Sequence, residues 1–539
     1  MDFSRINKDI SREEWKFLII VWLVATIIVF LPMVVGYFMT PPDSVFLFRP
    51  NLNYFDYPVY FSQIDQAKHG VYFSKDLFTQ ENQTIGVLNP LWSSVGILAR
   101  IFSLPSFIAI HLSSFLLIPI YLLSAYFLIS YFLEEKDKRR LCFIFFVFAS
   151  GIAWWISTFT GKDLLFPTIN AAELFTPTVL SSPPHFIASF TLLILIFLFS
   201  LYAFDTNKFI YTFFAGFCAL FLFSFHPYHI YTVFGVLLMF LIIEFIIERR
   251  IYFKHIVHYI ILLIFSAPPI IYYLLVFISI PVRHQTFSQN ITLTPALWIV
   301  LFDCSAILIL AILGVVSLLK NKNINKKNMF LIVWAITQFF LIYLPINTQK
   351  RLLEGLNIPI MILVTYGLFF LKDWLKNNSE SLYRLYCVSS VALFMYIFCA
   401  STFFAFVNNS LFFKDYPSLA YLTKDDEKAM LWIKEETPEQ SIIFSSKIQG
   451  NIIPFFASRP VYYGHFMETV QASQKIKMLD NFFEKDNNQE RKEFFKKNNI
   501  NYLFWGPEEK KIANNFNPDQ ENFLQRVYSN NTVAVYKID

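Results

Sequence analysis

The sequence predicts a polytopic α-helical membrane protein with a small α/β domain at its C-terminal end, and three observations carry this prediction. Hydrophobic residues make up 56% of the 539 residues, and charged residues only 15%. Apolar runs long enough for the roughly 20 residues that cross a bilayer core recur as far as about residue 407. From residue 408 onward the composition changes, because the last 132 residues hold 17 Lys/Arg and 18 Asp/Glu.

The apolar runs predict about eleven membrane-spanning helices. A soluble protein of this size needs more charge to cover its surface and does not repeat such runs many times over, so a soluble class is excluded. The predicted spans lie near residues 17–38, 105–133, 141–160, 184–204, 209–225, 229–247, 256–279, 296–319, 329–345, 355–371 and 384–407.

The placement of basic residues predicts on which side each connection lies. The N-terminal segment and every second connection are rich in Lys and Arg, whereas the alternate connections are longer yet poorer in them. By the positive-inside rule, the N-terminus is cytoplasmic and residues 408–539 are extracytoplasmic. The first apolar run, Phe17–Val35, is too long for a signal-peptide core and is expected to be retained. All five cysteines lie in apolar segments, so we expect no disulfide framework in the exported domain.

The C-terminal segment, residues 408–539, is predicted to be a small α/β domain that follows a membrane domain of residues 1–407. Helix-like and strand-like stretches alternate in it. The predicted helices are Asp425–Glu436, Glu468–Glu484 and Gln489–Asn498, and the predicted strands are Ser441–Phe444, Pro460–Tyr463, Asn501–Trp505 and Val533–Ile538. It has no phosphate-binding glycine loop, Cys/His metal box or nucleophile elbow. We therefore expect a recognition or docking module and no nucleic-acid partner.

The most informative candidate residue is Asp56, in a large first outer loop of residues 39–104. Asp56 follows an apolar, aromatic run at the membrane edge and opens a short predicted helix that also holds Tyr60 and Asp65. A carboxylate there is partly desolvated, which favours a raised pKa, a cationic partner or a metal. Aspartate is also a preferred helix N-cap, so capping is the competing interpretation, and both can hold together. A second short helix is expected at 91–103, lying against the membrane.

A second carboxylate, Glu173, lies in the second outer loop, about 161–183. On the same outer face as Asp56 it can complete a metal or acid/base pair, for which the expected cofactor is a divalent cation, Mg or Mn. A solvated loop carboxylate is the alternative.

Three histidines are further candidates. His185 follows Pro184 at the start of a helix, where capping is the alternative role. The sequence His226-Pro-Tyr-His229 breaks the apolar run 209–247 at an outer turn. Its histidines are candidates for binding phosphate or metal, and an interfacial position is the alternative.

The pair Lys350 and Arg351 lies at the outer edge of a membrane helix, on the side otherwise poor in basic residues. A guanidinium there is suited to a bidentate grip on phosphate. Snorkelling toward lipid headgroups, or a pair between Arg351 and Glu354, is the alternative. Arg283, in a third outer loop predicted at 280–295, is a weaker candidate of the same kind.

The arrangement resembles the GT-C superfamily of membrane glycosyltransferases. One helix leads into a large outer loop with Asn53-Tyr-Phe-Asp56-Tyr-Pro-Val-Tyr60 and two short helices, a second outer loop carries Glu173, and Arg351-Leu-Leu-Glu-Gly-Leu-Asn-Ile-Pro359 looks like a stretch of the bacterial members. The resemblance implies a multi-pass protein of the bacterial plasma membrane, dependent on a polyprenyl-phosphate sugar, with Asp56 as the catalytic or metal-binding carboxylate.

Physical reasoning leads to the same expectation. Nucleotide sugars stay in the cytoplasm, so an outward-facing transferase needs a sugar carried on a polyprenyl phosphate, and its partners are that lipid, membrane lipids and an extracytoplasmic acceptor. Such an enzyme needs cations for the leaving phosphate and a general base, roles that Arg351 and Asp56 would take in an inverting displacement. The alternative is a transporter or a non-catalytic protein that binds lipid-linked glycans. Transporters place charges in mid-membrane and show repeated halves, and neither pattern is seen here.

Overall fold

The computed structural model describes residues 10–152, 174–320, 324–394, 400–484, 488–513 and 516–539. Helices dominate these ranges. The helices, including two short 3-10 helices at Gln349–Leu353 and Pro518–Gln520, are Arg12–Phe38, Tyr57–Lys68, Pro90–Ile101, Ser106–Phe132, Lys136–Phe148, Thr176–Leu180, Pro184–Thr206, Phe209–Phe223, His229–Glu248, Phe253–Ser279, Pro281–Gln289, Leu297–Lys320, Lys326–Leu341, Asn357–Asn378, Glu380–Phe394, Ala400–Asp415, Pro417–Ala420, Lys424–Glu436, Lys447–Phe456, Ala472–Glu484, Asn488–Lys497 and Pro507–Ile512.

Seven of the described helices are long and apolar enough to cross a membrane, so the chain is an integral membrane protein, as predicted. They are Arg12–Phe38, Ser106–Phe132, Pro184–Thr206, His229–Glu248, Phe253–Ser279, Leu297–Lys320 and Asn357–Asn378. A shorter apolar helix, Phe209–Phe223, lies among them in the chain. The total of about eleven spans stays a prediction.

The predicted span 141–160 and the predicted loop 280–295 differ from the structure. The predicted span 141–160 is a helix that starts earlier and ends at Phe148, because Ala149 is already extended (φ −80°, ψ 145°) and Ser150-Gly151 follows. The rest of that prediction lies outside the described residues. The predicted polar loop 280–295 contains the helix Pro281–Gln289, which begins with proline at the position where a missing N–H is least costly.

The chain divides into two compact units, each assembled from separate segments. We call the first the helical unit; it consists of Met1–Leu31, Ser113–Tyr273 and Ile291–Asn408. We call the second the mixed unit; it consists of Pro32–Leu112, Leu274–Asn290 and Asn409–Asp539. In the mixed unit, the first outer loop and the segment around Arg283 therefore belong with the C-terminal residues.

In the helical unit, two glycines let a pair of helices approach at backbone distance. A Cβ on Gly314 of Leu297–Lys320 would lie 2.0 Å from the Leu363 carbonyl oxygen, and a Cβ on Gly367 of Asn357–Asn378 would lie 2.0 Å from that of Leu310. Since lipid gives apolar helices little reason to associate, such small-residue contacts supply close packing in membranes.

The mixed unit contains a four-stranded sheet with the order Ile443–Phe444, Tyr502–Trp505, Ala534–Ile538, Leu524–Ser529. The first pair is parallel and the other two pairs are antiparallel. The predicted strand Pro460–Tyr463 is wrong: proline has no N–H for a ladder, and Val461 makes only an isolated bridge to Ile443. The predicted helices are present with shifted ends, and Lys447–Phe456, which the sequence did not predict, is capped by Ser446.

The first outer loop is tied to the later part of the mixed unit by a second, small sheet. Ser44–Phe46 pairs antiparallel with Tyr421–Thr423. Nearby, the buried Arg49 donates to the Asn451 side chain at 3.4 Å and to the Leu419 carbonyl. A third sheet pairs Phe73–Ser74 with Val87–Leu88. The two short helices predicted in the loop are present as Tyr57–Lys68 and Pro90–Ile101, packed on each other through Phe61, Ile64, Val95 and Ala99.

Candidate functional site

Asp56 stands directly before the helix Tyr57–Lys68 but does not cap it. Its backbone is already helical (φ −77°, ψ −29°), and its side chain makes no hydrogen bond to the first turn. Instead, Asp56 Oδ1 lies 2.9 Å from Nε2 of His465, and the aspartate side chain is 26% exposed. The carboxylate is therefore held by a partner from the C-terminal segment and stays accessible to a substrate.

The hydrogen bonds of His465 fix its tautomer. Its Nδ1 accepts from the backbone N–H groups of Met467 at 3.2 Å and Glu468 at 3.3 Å, so Nδ1 carries no proton. The proton is then on Nε2, from which a neutral imidazole donates to Asp56. A buried, neutral donor orients the carboxylate without adding a positive charge.

Arg283 lies in a buried acidic cluster of the same unit. Its guanidinium is 2.8 Å from Glu468 Oε2 and 3.5 Å from Asp76 Oδ2. Burial, with a contribution from the neighbouring Glu468, raises the pKa of Asp76 well above its usual value. Two carboxylates thus face the arginine that the sequence proposed for phosphate, and the cluster joins all three segments of the mixed unit.

Asp65 and Tyr60, the other two candidates in the helix Tyr57–Lys68, have local partners. Asp65 lies 3.5 Å from Nδ1 of His69 and 4.0 Å from Lys434 Nζ. Tyr60 stacks on Trp92 with ring centroids 4.6 Å apart and planes 24° from parallel. The contacts of Asp65 are those of a surface ion pair, and the contact of Tyr60 is one of aromatic packing.

In the helical unit, Glu354 is the centre of a buried polar cluster. It lies between Gln349–Leu353 and Asn357–Asn378 and is 0% exposed. Its carboxylate accepts from the hydroxyls of Ser189 at 2.7 Å and Tyr228 at 2.9 Å and lies 2.6 Å from Nε2 of His229. Gln338 also holds the Glu354 backbone carbonyl, at 2.6 Å.

The remaining sequence candidates of this unit surround that cluster. The rings of His185 and His226 lie edge-to-face with centroids 5.1 Å apart, and His226 Nδ1 is 3.6 Å from Glu354. The Arg351 guanidinium lies over the Phe186 ring, 5.4 Å from its centroid, and the same ring is 5.8 Å from the ring of His226. The Glu354 carboxylate thus has histidine, tyrosine and serine partners, and its alternative pair with Arg351 stays a prediction.

Lys350, Arg351 and Asp56 fall in different units, so the convergence of these side chains on one cavity stays a prediction. Glu173 lies outside the described residues, and with it the predicted carboxylate pair. Among the described residues, one group of three metal-ligating side chains has its ligand atoms within 4.8 Å of one another: His226, His229 and Glu354.

Sequence reasoning did not find the partners of the candidate residues. His465 and Glu468 lie in Tyr462-Tyr-Gly-His-Phe-Met-Glu468, which was expected to be part of a docking module. Asp76 was not singled out. Two signals were available, namely a histidine next to a glycine in the C-terminal segment and an arginine, Arg283, that needs a counter-charge when buried.

Comparison with known proteins gives a structural likeness. No protein-family model and no curated protein sequence matches the chain. The oligosaccharyltransferase of Archaeoglobus fulgidus, tethered with an acceptor peptide, superposes with a TM-score of 0.58 at 13% identity, over 92% of this chain and 69% of that chain. The arabinofuranosyltransferase AftD from Mycobacteria superposes with a TM-score of 0.57 at 12% identity, over 97% of this chain and 40% of that chain.

Both are membrane glycosyltransferases with longer chains, and at 12–13% identity the superpositions show a shared fold alone. The likeness extends over almost the whole of the present chain, including the mixed unit. The resemblance inferred from Asp56 and the segment after Arg351 is thereby confirmed for the fold. The chain has the fold of the GT-C membrane glycosyltransferases.

Proposed function

We propose that the protein is a membrane glycosyltransferase that moves a sugar from a polyprenyl-phosphate carrier to an acceptor on the non-cytoplasmic side. The observation that carries the proposal is Asp56, an accessible carboxylate held by a neutral histidine at the start of the first outer loop. The fold supports the reaction class. The proposed orientation, with a cytoplasmic N-terminus and extracytoplasmic residues 408–539, follows the distribution of basic residues.

In the proposed reaction Asp56 is the general base. As an acceptor hydroxyl attacks the anomeric carbon, its proton passes to the carboxylate, and the bond to the polyprenyl phosphate breaks with its electrons on the leaving oxygen. This single displacement inverts the anomeric centre. The role of His465 is to position the carboxylate, because its N–H donates to one oxygen and leaves the other for the acceptor.

Arg351, with Lys350, is the proposed site for the leaving phosphate. A guanidinium can donate two parallel hydrogen bonds to phosphate oxygens and stabilise the charge that develops as the carrier leaves. The stacking of Arg351 on Phe186 supports this role, because it holds the planar group in one orientation.

The principal experiment compares two aspartates of one helix. Purified protein in lipid nanodiscs is given a polyprenyl-phosphate-linked sugar and an acceptor, and released polyprenyl phosphate is measured. We expect Asp56→Asn to lower turnover by about 10²- to 10⁴-fold, the usual worth of a general base. Asp65→Asn, in the same helix, is the matched control and should keep turnover. Full activity of Asp56→Asn would remove the assignment of the base.

A second experiment tests the phosphate site and the shared cavity. Arg351→Ala should weaken binding of the lipid donor, and Arg351→Lys should restore it only in part because the bidentate contact is lost. Unchanged donor affinity in Arg351→Ala would refute the role. If Asp56 and Arg351 face one cavity, cysteines placed at both positions should be joined by a short bifunctional reagent. A protein that binds the donor yet never releases polyprenyl phosphate would be a non-catalytic binder instead.

A further inference from the structure

The cluster around Glu354 contains a buried histidine nitrogen to which no described residue is hydrogen-bonded. His226 is 7% exposed, and its Nδ1 has no hydrogen-bond partner among the described residues. The nearest carboxylate oxygen, Glu354 Oε2, is 3.6 Å away, beyond hydrogen-bond distance. A buried polar atom without a hydrogen-bond partner lowers the stability of the folded state. A nitrogen without such a partner, close to a carboxylate, therefore indicates that a ligand is missing between them.

The three side chains present the ligand set of an open zinc site. Two histidine nitrogens and one glutamate oxygen lie within 4.8 Å of one another, all on buried residues. Zinc bonds of about 2.0–2.1 Å in tetrahedral geometry separate ligand atoms by about 3.4 Å. The 3.6 Å between His226 Nδ1 and Glu354 matches this separation, and the 2.6 Å between His229 Nε2 and Glu354 would lengthen by about 0.8 Å on metal binding.

The surroundings of Glu354 are those of a supported metal ligand. The hydroxyl of Ser189 bonds Oε2 at 2.7 Å and that of Tyr228 bonds Oε1 at 2.9 Å, so the carboxylate is already oriented by outer partners. His229 opens the helix His229–Glu248, and His226 lies in the turn before it, so both rings are fixed by one helix start. Among the described residues, these three ligands leave one position of a tetrahedral site open, as in catalytic zinc sites.

We propose that His226, His229 and Glu354 form a binding site for a divalent metal of the zinc class, with one coordination position left for water or a phosphate oxygen. Imidazole ligands favour zinc, cobalt or nickel over Mg²⁺ and Mn²⁺, which prefer oxygen. The site is therefore distinct in residues and in metal preference from the Mg or Mn pair of Asp56 and Glu173 that the sequence predicted.

A second buried histidine–glutamate pair in the same unit shows what a completed cluster looks like. His255 Nδ1 lies 2.8 Å from Glu244, and Lys326 Nζ closes the other carboxylate oxygen at 2.7 Å. In this second pair, the ammonium group of Lys326 occupies the carboxylate oxygen of Glu244 that His255 leaves open. A metal therefore has no place beside this carboxylate. His255 is therefore the matched control for His226.

The experiment measures metal content rather than sugar transfer. Full-length protein with a histidine-free affinity tag is stripped with a chelator, reloaded with zinc or cobalt and freed of excess metal. We expect one metal ion per protein by mass spectrometry and the visible absorption of tetrahedral cobalt. His226→Ala and Glu354→Gln should each reduce the content to a small fraction, whereas His255→Ala should keep it.

Three results would overturn the proposal: wild-type protein that takes up no metal, a cobalt spectrum that His226→Ala leaves unchanged, or equal loss in His255→Ala. Should a substitution prevent folding, the wild-type chain decides alone, because zinc must raise its unfolding temperature if it binds the folded state. Since no glycosyl transfer is measured, failure here leaves the transferase proposal standing, and failure of the transferase leaves the metal site standing.

Discussion

The side chain of Asp56 takes its orientation from His465, which is fixed in turn by two backbone N–H groups. The sequence singled out Asp56 because an aspartate after an aromatic run at a membrane edge is conspicuous locally. His465 could not be found in that way, because the two residues are separated by 409 positions and no periodic pattern relates them.

His465→Ala should lower turnover by roughly ten- to hundred-fold, because a hydrogen bond to a charged group contributes about 1.5–3 kcal/mol. The KM for the donor should change little, since the proposed contact orients the base rather than the carrier. The control is His69→Ala, which removes the exposed ring beside Asp65. Steady-state kinetics of both variants checks this, and an equal loss in both would contradict a positioning role for His465.

Glu509 gives the mixed unit a dependence on pH. It is fully buried, and burial raises its pKa from 4.5 to about 7, although the backbone N–H groups of Ser446 and Gly506 donate to it. The folded state therefore binds the proton more tightly than the unfolded state does. The stability contributed by the protonated carboxyl is complete below about pH 4.5 and is lost as pH rises through about 7.

Glu509→Gln should remove this dependence. In the wild type the loss amounts to about 3 kcal/mol across that window, taking about 1.4 kcal/mol per pKa unit. The glutamine variant should unfold at more similar temperatures at pH 5 and pH 8 than the wild type does. Calorimetry of both proteins at the two pH values measures the difference, and an undiminished pH slope in the variant would assign it to other groups, Asp426 first among them.

Among the helices, the contact between Leu297–Lys320 and Asn357–Asn378 depends on glycine. Gly314→Ala and Gly367→Ala should each destabilise the helical unit by about 1–3 kcal/mol, since the new methyl meets a backbone carbonyl that cannot move aside. Gly235→Ala is the control, because its methyl would meet Leu341 Cδ1 at 3.1 Å, the end of a flexible side chain. Thermal unfolding in detergent compares the three, and equal tolerance at all sites would contradict the close approach.

Long apolar helices were predictable and short strands were not, for a physical reason. A membrane helix satisfies its own backbone and is marked by about 20 apolar residues, a signal that lies entirely within the segment. Ile443–Phe444 is a strand of two residues whose existence depends on its partner Tyr502–Trp505. The predicted strand Pro460–Tyr463 was wrong because an apolar composition alone does not show that proline lacks the backbone N–H that a strand would donate.

The orientation across the membrane is testable in the intact chain. Lys510→Cys should react with a membrane-impermeant maleimide applied to intact cells, because residues 408–539 are predicted outside. Lys136→Cys should react only after the cells are opened, since its connection is predicted in the cytoplasm. The background needs the native Cys387 removed, as it is exposed. The opposite labelling pattern would invert the topology and exclude an extracytoplasmic Asp56.

The assembly of the mixed unit from three distant segments could not be predicted from the sequence. The composition changes near residue 408, where the last segment of the mixed unit begins, yet that unit also takes in Pro32–Leu112 and Leu274–Asn290. Arg283 illustrates the difficulty, because its two acidic partners come from the first and the last of the unit's segments.

The pairing of Ser44–Phe46 with Tyr421–Thr423 sets an order of events during biosynthesis. At about 5–20 residues per second, a ribosome makes the second strand on the order of tens of seconds after the first. Until then the early strand is an open edge, a surface prone to pairing with other chains. A nascent chain stalled or cleaved before residue 421 should therefore be a substrate for quality-control proteases, and chaperones that shield unpaired strands should bind the first loop for as long as synthesis continues.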